Sequence, residues 1–288
     1  MAPVIQPQIL VIKLGDLESF VQSLGAMQAI REAHRDARIT LLTSTPFEPL
    51  AKASPYFNAV ELDSGGGFAT GMRLRASRFS RVYDLEGGGG SAQIRLGLWP
   101  GPTWLRSAPT TDGETPPPDL SWILQKTAPE RASSSGQRKP YVLFIPGGGS
   151  KKPQDRWPGE RFGELGKLLH DRGFDIVVVG APQDANLARD IQRKVGAARD
   201  LTGASDYARM AALCARAALV VGGTHEAMHL AAAVGAPTIV VLPRSADPAK
   251  AAPRGHVTVL QADVLAELPA ATVAQAANTL TPAPARGA

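Results

Sequence analysis

The chain is poor in cysteine: Cys214 is the only one in 288 residues, so no disulfide can close within it. That composition fits a reducing compartment. It is also poor in aromatics, 6% in all, which leaves little surface for stacking nucleic-acid bases. No apolar run, the stretch around Ile176 to Val179 included, approaches the roughly 18 residues a membrane-spanning helix needs. Nor is there a dense block of one charge. The 31 Lys and Arg against 26 Asp and Glu give a net charge of +5, and Lys151-Lys152 is the densest pair. That mild excess suits phosphate-bearing substrates or an anionic surface; nucleic acid is not an expected partner. The opening stretch MAPVIQPQILVIKLG lacks a basic cluster followed by an apolar segment and a small-residue cleavage site. No signal peptide is expected, and a cytoplasmic location is.

What is present is an ordinary globular composition, 44% hydrophobic and 20% charged. The length suggests two domains at roughly 100–200 residues each. Strand-like runs at Ile9–Ile12, Ile39–Leu42, Ala59–Leu62 and Phe79–Leu85 alternate with helical spacing over 17–34, 46–53 and 68–77. Between 86 and 138 this rhythm gives way to Gly87–Gly90, several prolines and Ser133-Ser134-Ser135, the marks of loops and linkers. It resumes with strands predicted at Tyr141–Ile145, Asp175–Val179, Ala218–Val221, Thr238–Leu242 and Val257–Leu260, each interleaved with helical segments. The expected fold class is α/β, two Rossmann-like doubly wound parallel sheets. The expected organisation is a first domain over 1–130, a linker over 131–138, a second domain over 139–265, and a terminal helix with a disordered tail over 266–288. Ligands in such folds sit beyond the carboxyl ends of the strands, so the loops after Ile12, Leu85, Ile145, Val179, Val221 and Leu242 are the expected site.

Three of these loops hold residues suited to chemistry. After the first strand come Asp16, Glu18 and Ser19. A carboxylate there can act as a general base on a hydroxyl, or Asp16 can simply cap the helix with Glu18 in its first turn. After Ile145 comes Pro146-Gly147-Gly148-Gly149-Ser150-Lys151-Lys152, then Arg156-Trp157-Pro158. Glycines let backbone N–H groups approach a phosphate and the lysines add charge, although no Walker pattern is present. After Val221 comes Gly222-Gly223-Thr224-His225-Glu226-Ala227-Met228-His229, where a helix start could receive an anion and Thr224 could donate to it or cap the helix. HEAMH is a literal match to the zinc-protease pattern, but the βα context argues against it, so no metal is expected. Cys214, in an alanine-rich helix, reads as a small core residue.

Several strings in order resemble glycosyltransferase family 9, the ADP-heptose:lipopolysaccharide heptosyltransferases: ILVIKLG with FVQSLGAMQAIREAH, ARITLLT, RWPGERFGELGKLL, ARDLTG, AALCARAALVVGG, and MHLAAAVGAPTIVVL followed by Asp247-Pro248. The resemblance implies the GT-B architecture and metal- and cofactor-free transfer of heptose from ADP-heptose to a lipopolysaccharide core, with inversion. It places the acceptor mainly on the N-terminal domain and the donor on the C-terminal one. Asp16, Glu18 and Ser19 would then be the catalytic residues, with Asp16 or Glu18 as the general base on the acceptor hydroxyl. Gly147, Gly148, Gly149, Lys151, Lys152, Trp157, Thr224, His225, Glu226 and His229 would stand near the donor. The implied partners are a nucleotide sugar and a lipid-linked saccharide acceptor at the inner membrane surface; a partner glycosyltransferase would go with a degenerate, scaffolding role.

The chain departs from the family pattern at the same loops. Glu18-Ser19 stands where the family has Gly-Asp, Thr224-His225-Glu226 where it has Asp-Ser/Thr-Gly, and Asp155 where it has a basic residue. A carboxylate about 4 Å from a phosphate costs about 4 kcal/mol at an effective dielectric of 20, so the direction of Glu226 matters. Three readings follow: an active heptosyltransferase-type enzyme, an enzyme using another nucleotide sugar, or a degenerate relative that acts as a binding or scaffolding partner.

Overall fold

Apolar runs without alternation become strands of parallel sheets, because helices cover both faces of such a sheet. The computed structural model describes residues 6–110, 114–126, 139–148 and 155–281. The chain divides between Trp122 and Ile123 into two units. The first is built from β1 (Gln8–Lys13), α1 (Leu17–Gln22), α2 (Leu24–Ala33), β2 (Arg38–Thr43), α3 (Glu48–Ala53), β3 (Ala59–Leu62), α4 (Gly67–Leu74), β4 (Arg81–Asp84), α5 (Gly89–Gly97) and β5 (Thr103–Leu105). Its sheet runs β3-β2-β1-β4-β5, with every pair parallel. Ile9 to Ile12 in the central strand are all buried, and Leu10 and Ile12 pack with Leu42, Leu74, Val82 and Ile94 into one core.

The second unit contains α6 (Ile123–Lys126), β6 (Tyr141–Ile145), α7 (Gly159–Asp171), β7 (Asp175–Val178), α8 (Ala185–Lys194), β8 (Arg199–Asp200), α9 (Tyr207–Arg216), β9 (Leu219–Gly222), α10 (Ala227–Ala233), β10 (Thr238–Pro243), α11 (Pro248–Ala251), β11 (Val257–Ala262) and α12 (Ala270–Leu280). Its parallel sheet has the order β11-β10-β9-β6-β7-β8. Counted within the unit this is the 3-2-1-4-5-6 order of a Rossmann sheet, read from the other edge. Each unit therefore has one point where the strand order reverses: between β1 and β4 in the first, and between β6 and β9 in the second. The two doubly wound parallel sheets expected from the sequence are both present.

Details differ from the sequence reading. The single helix expected over 17–34 is two. At Ser23 the hydroxyl donates to the Ser19 carbonyl (2.7 Å), and this back-bonding competes with the helical ladder. The helix expected over 68–77 ends at Leu74. A 3-10 turn over Arg75–Ser77 follows and stops at Arg78 in the left-handed region (φ 48°). The stretch read as loop from 86 onward contains α5 and an additional strand, β5, which pairs with β4. Runs of glycine and proline on either side hid both elements.

Candidate functional site

At the reversal point of the first sheet, the chain leaving β1 passes the chain leaving β4, because Ile12 is paired with Asp84. Glu86, just beyond β4, turns its carboxylate onto the β1 loop. Its Oε2 accepts from Lys13 Nζ (3.0 Å), Leu14 N (3.0 Å) and Gly15 N (2.9 Å). Burial pushes the Glu86 carboxyl up, but the Lys13 hydrogen bond and the two backbone N–H groups outweigh it and hold the group below its ordinary value. Lys13 is only 5% exposed, so this ion pair is the anchor of the loop. Behind it Asp84 accepts from the Glu86 and Gly87 N–H groups (3.2 and 2.9 Å) and from the Trp104 indole (3.3 Å).

The loop so fixed presents Asp16 at the head of α1. Asp16 is exposed and caps the helix: Oδ1 accepts from Ser19 N at 2.8 Å, while Ser19 Oγ donates to the Asp16 carbonyl at 3.1 Å. The Ser19 N–H is the main reason the Asp16 carboxyl lies below its ordinary value, so it is ionised at neutral pH. Glu18, in the first turn of α1, accepts from Gln22 Nε2 at 3.0 Å. The three residues read from the sequence are therefore together, with Ser19 serving the cap.

At the reversal point of the second sheet, Ile145 of β6 is paired with Gly222 of β9, and the loops that follow meet. Gly148 has φ +110°, and a side chain there would place Cβ 2.6 Å from His225 Cδ2, so only glycine fits. A Cβ on Gly147 would fall on the Asp184 carboxylate, which accepts from Ala181 N at 2.9 Å. His225 Nδ1 accepts from Ala227 N at 2.9 Å, which leaves the ring proton on Nε2. Burial holds this imidazole below its ordinary value, against the opposite pull of Glu226 and Asp184, so it is a neutral donor. Glu226 is exposed, and its Oε1 accepts from Tyr207 Oη at 3.1 Å. Burial, followed by the neighbouring Glu226, pushes the Tyr207 phenol up to about 12.

Helix α10 begins at Ala227, with Glu226 in the cap position. Thr224 lies in the bend before it, not at the cap. His225 precedes the helix and His229 lies in its first turn, so the HEAMH string does not put two histidines on one helical face. Among the described residues no group of three or more His, Cys, Asp and Glu side chains could hold a metal. Trp157 packs beside α7. It is 2% exposed, stacks edge-on against Phe162 at 4.6 Å and donates its indole N–H to the Leu268 carbonyl at 3.0 Å. Its place is the core of the second unit. Gly149, Lys151 and Lys152 lie outside the described residues. Cys214 is fully buried, with its thiol pushed by burial up to about 12, as a core residue would be. The sequence reading flagged the loops after β4 and β7 but singled out neither Glu86 nor Asp184.

Residues 107–265 match the profile of Glycosyltransferase family 9 (heptosyltransferase). Lipopolysaccharide heptosyltransferase 2 of Escherichia coli (strain K12) is 24% identical over 286 residues, spanning 81% of this chain and 82% of that one. Among solved structures, E. coli ADP-heptose lps heptosyltransferase II superposes with a TM-score of 0.78 at 20% identity, covering 95% of this chain and 98% of that chain. E. coli heptosyltransferase WaaC with ADP gives a TM-score of 0.75 at 18% identity, covering 95% and 100%. The fold class is thus that of the GT-B glycosyltransferases. With the profile matched over more than half of its sequence, the chain belongs to glycosyltransferase family 9, the heptosyltransferase family.

Proposed function

We propose that the protein transfers a heptose from ADP-heptose to a saccharide of a lipopolysaccharide core, with inversion at the anomeric carbon. The observation that carries this reading is Asp16. It is an exposed, ionised carboxylate fixed at the carboxyl end of the central strand, in a chain of the heptosyltransferase family. The acceptor hydroxyl oxygen bonds to the anomeric carbon as the bond from that carbon to the β-phosphate oxygen breaks. The hydroxyl proton passes to Asp16, and ADP leaves with the bonding pair. The helix cap engages Oδ1, and Oδ2 is the oxygen we assign to the acceptor. A carboxylate of low pKa suits a reaction in which the proton moves late, after the anomeric carbon has gained positive charge. On the donor side we assign the pyrophosphate to Gly147, Gly148 and Gly149, the Nε2–H of His225, Thr224 and His229, with charge from Lys151 and Lys152. Glu226, bonded to Tyr207, is thereby drawn to α9. The acceptor in this reading is lipid-linked and met at the cytoplasmic side of the inner membrane. No helix among the described residues is long and apolar enough to cross a membrane.

Asp16→Asn tests the assignment, because asparagine caps helices as well as aspartate does and the fold is kept. Transfer from ADP-heptose to a heptose-deficient core, followed by mass spectrometry, is expected to fall about 100-fold or more. ADP should still raise the unfolding midpoint of the variant. Full turnover by the variant would overturn Asp16 as base. No transfer by the unaltered protein would overturn the activity.

A further inference from the structure

Most of the large apolar side chains exposed among the described residues cluster on one part of the first unit. Phe68 (54% exposed) and Met72 (47%) lie four apart on α4, while Leu96 (66%) lies in the last turn of α5 and Trp99 (71%) two residues beyond its end. The two helices touch through their backbones at Gly71 and Gly97. A Cβ on Gly97 would come within 2.8 Å of Met72 N and of Gly71 Cα. Phe68 and Met72 therefore flank the contact on α4, while Leu96 precedes Gly97 in α5 and Trp99 follows just past the end of that helix. Beside them opens a cavity of about 340 Å³ lined by Arg75, Arg78, Phe79, Leu98, Pro100 and Pro102, with no acidic side chain among its walls. The surrounding sequence is one-sided in charge. Residues 64–83 and 87–110 contain Arg73, Arg75, Arg78, Arg81, Arg95 and Arg106, and no Asp or Glu, although Arg73 is paired with Glu61 just before this stretch.

From this juxtaposition we infer that the α4–α5 face is a membrane-docking surface for anionic phospholipid. Phe68, Met72, Leu96 and Trp99 enter the headgroup boundary, and Arg75 and Arg78 receive a lipid phosphate in the cavity between them. Apolar and aromatic side chains rimmed by arginine are the composition of an interfacial surface. Tryptophan in particular settles where one edge is apolar and the other wet. A second copy of the chain fits less well, since a two-fold contact would press the arginines of this face, Arg75 and Arg78 among them, against their own copies. The inference deepens the proposed reading of a lipid-linked acceptor, but the surface stands without it.

The test is co-sedimentation of the full chain with vesicles of phosphatidylcholine alone or mixed with phosphatidylglycerol, at low and high salt. Binding is expected to the anionic vesicles, weakened by salt. It should fall about 30-fold in a double Arg75→Gln, Arg78→Gln variant, and be lost in a Leu96→Ser, Trp99→Ser variant. These residues are exposed, so both variants should keep the unfolding midpoint of the unaltered protein. Absent binding, or equal binding by all variants, overturns the inference. So does a concentration-dependent dimer that the same variants abolish in the absence of vesicle binding, which would assign the face to a second copy. Transfer onto a soluble, delipidated core saccharide separates the two ideas. If it persists without vesicle binding, the docking surface fails and the activity stands; the reverse result sinks the activity and leaves the surface.

Discussion

Glu86 is the side chain on which the first loop depends. Its carboxylate satisfies two backbone N–H groups and the ammonium of Lys13 at once, and Lys13 is too deeply placed to find water instead. Hydrogen bonds to a charged partner contribute about 1.5–3 kcal/mol each, and an abandoned buried charge costs more. Glu86→Gln keeps the shape but leaves Lys13 unneutralised. It is expected to lower stability in urea by about 2–3 kcal/mol and to lower kcat about 10-fold by loosening the Asp16 loop. ADP affinity should be unchanged, because the donor is assigned to the other unit. A kcat/KM split together with urea unfolding checks this, and a variant as stable and active as the original would remove Glu86 as a positioning residue. The cap at Asp16 was legible in the sequence because its partner is three residues away. Glu86 was not, because it meets Gly15 across 71 positions, through a register that only the folded sheet supplies.

Elements were legible where periodicity or apolar runs were unbroken, and hidden where glycine and proline interrupted them. Strands such as β1, β6 and β10 announce themselves because parallel sheets bury both faces. Helix α5 begins inside a run of four glycines, at Gly89, and its packing against α4 uses glycine instead of an apolar stripe, so no hydrophobic pattern marks it. That contact is nevertheless demanding. Gly97→Ala would put a methyl group against the α4 backbone at Phe68, Gly71 and Met72, and backbone cannot rotate away as a side chain can. The helices must separate, at a cost of about 1–3 kcal/mol. Urea unfolding of the variant should show that loss, whereas alanine at the exposed Gly88, which meets nothing within 4 Å, should not.

For the molecule as a whole, two histidines make stability depend on pH. Burial is the main reason His34 lies below its ordinary value of 6.5, with Arg81 and Arg31 adding to it. His225 is lowered chiefly by burial as well. A depressed histidine binds fewer protons in the folded chain than in the unfolded one. Acidification through the ordinary histidine range therefore favours unfolding, and stability rises again with pH. The midpoint of thermal unfolding is expected to drop between pH 7 and pH 5, and His34→Gln should flatten part of that slope. At lower pH the carboxylates of Asp16 and Glu86, both held below their ordinary values, lose their contribution as they protonate. A midpoint unchanged from pH 7 to pH 5 would contradict the burial of both rings.

The burial of Cys214 has a practical use. A thiol at 0% exposure, shifted to about 12, is neither reachable nor ionised at neutral pH, so maleimide and similar reagents pass it by. The natural chain is in effect cysteine-free to such probes. One cysteine introduced into each unit would then take a pair of fluorophores without background, and energy transfer between them would report any motion of the units as nucleotide binds.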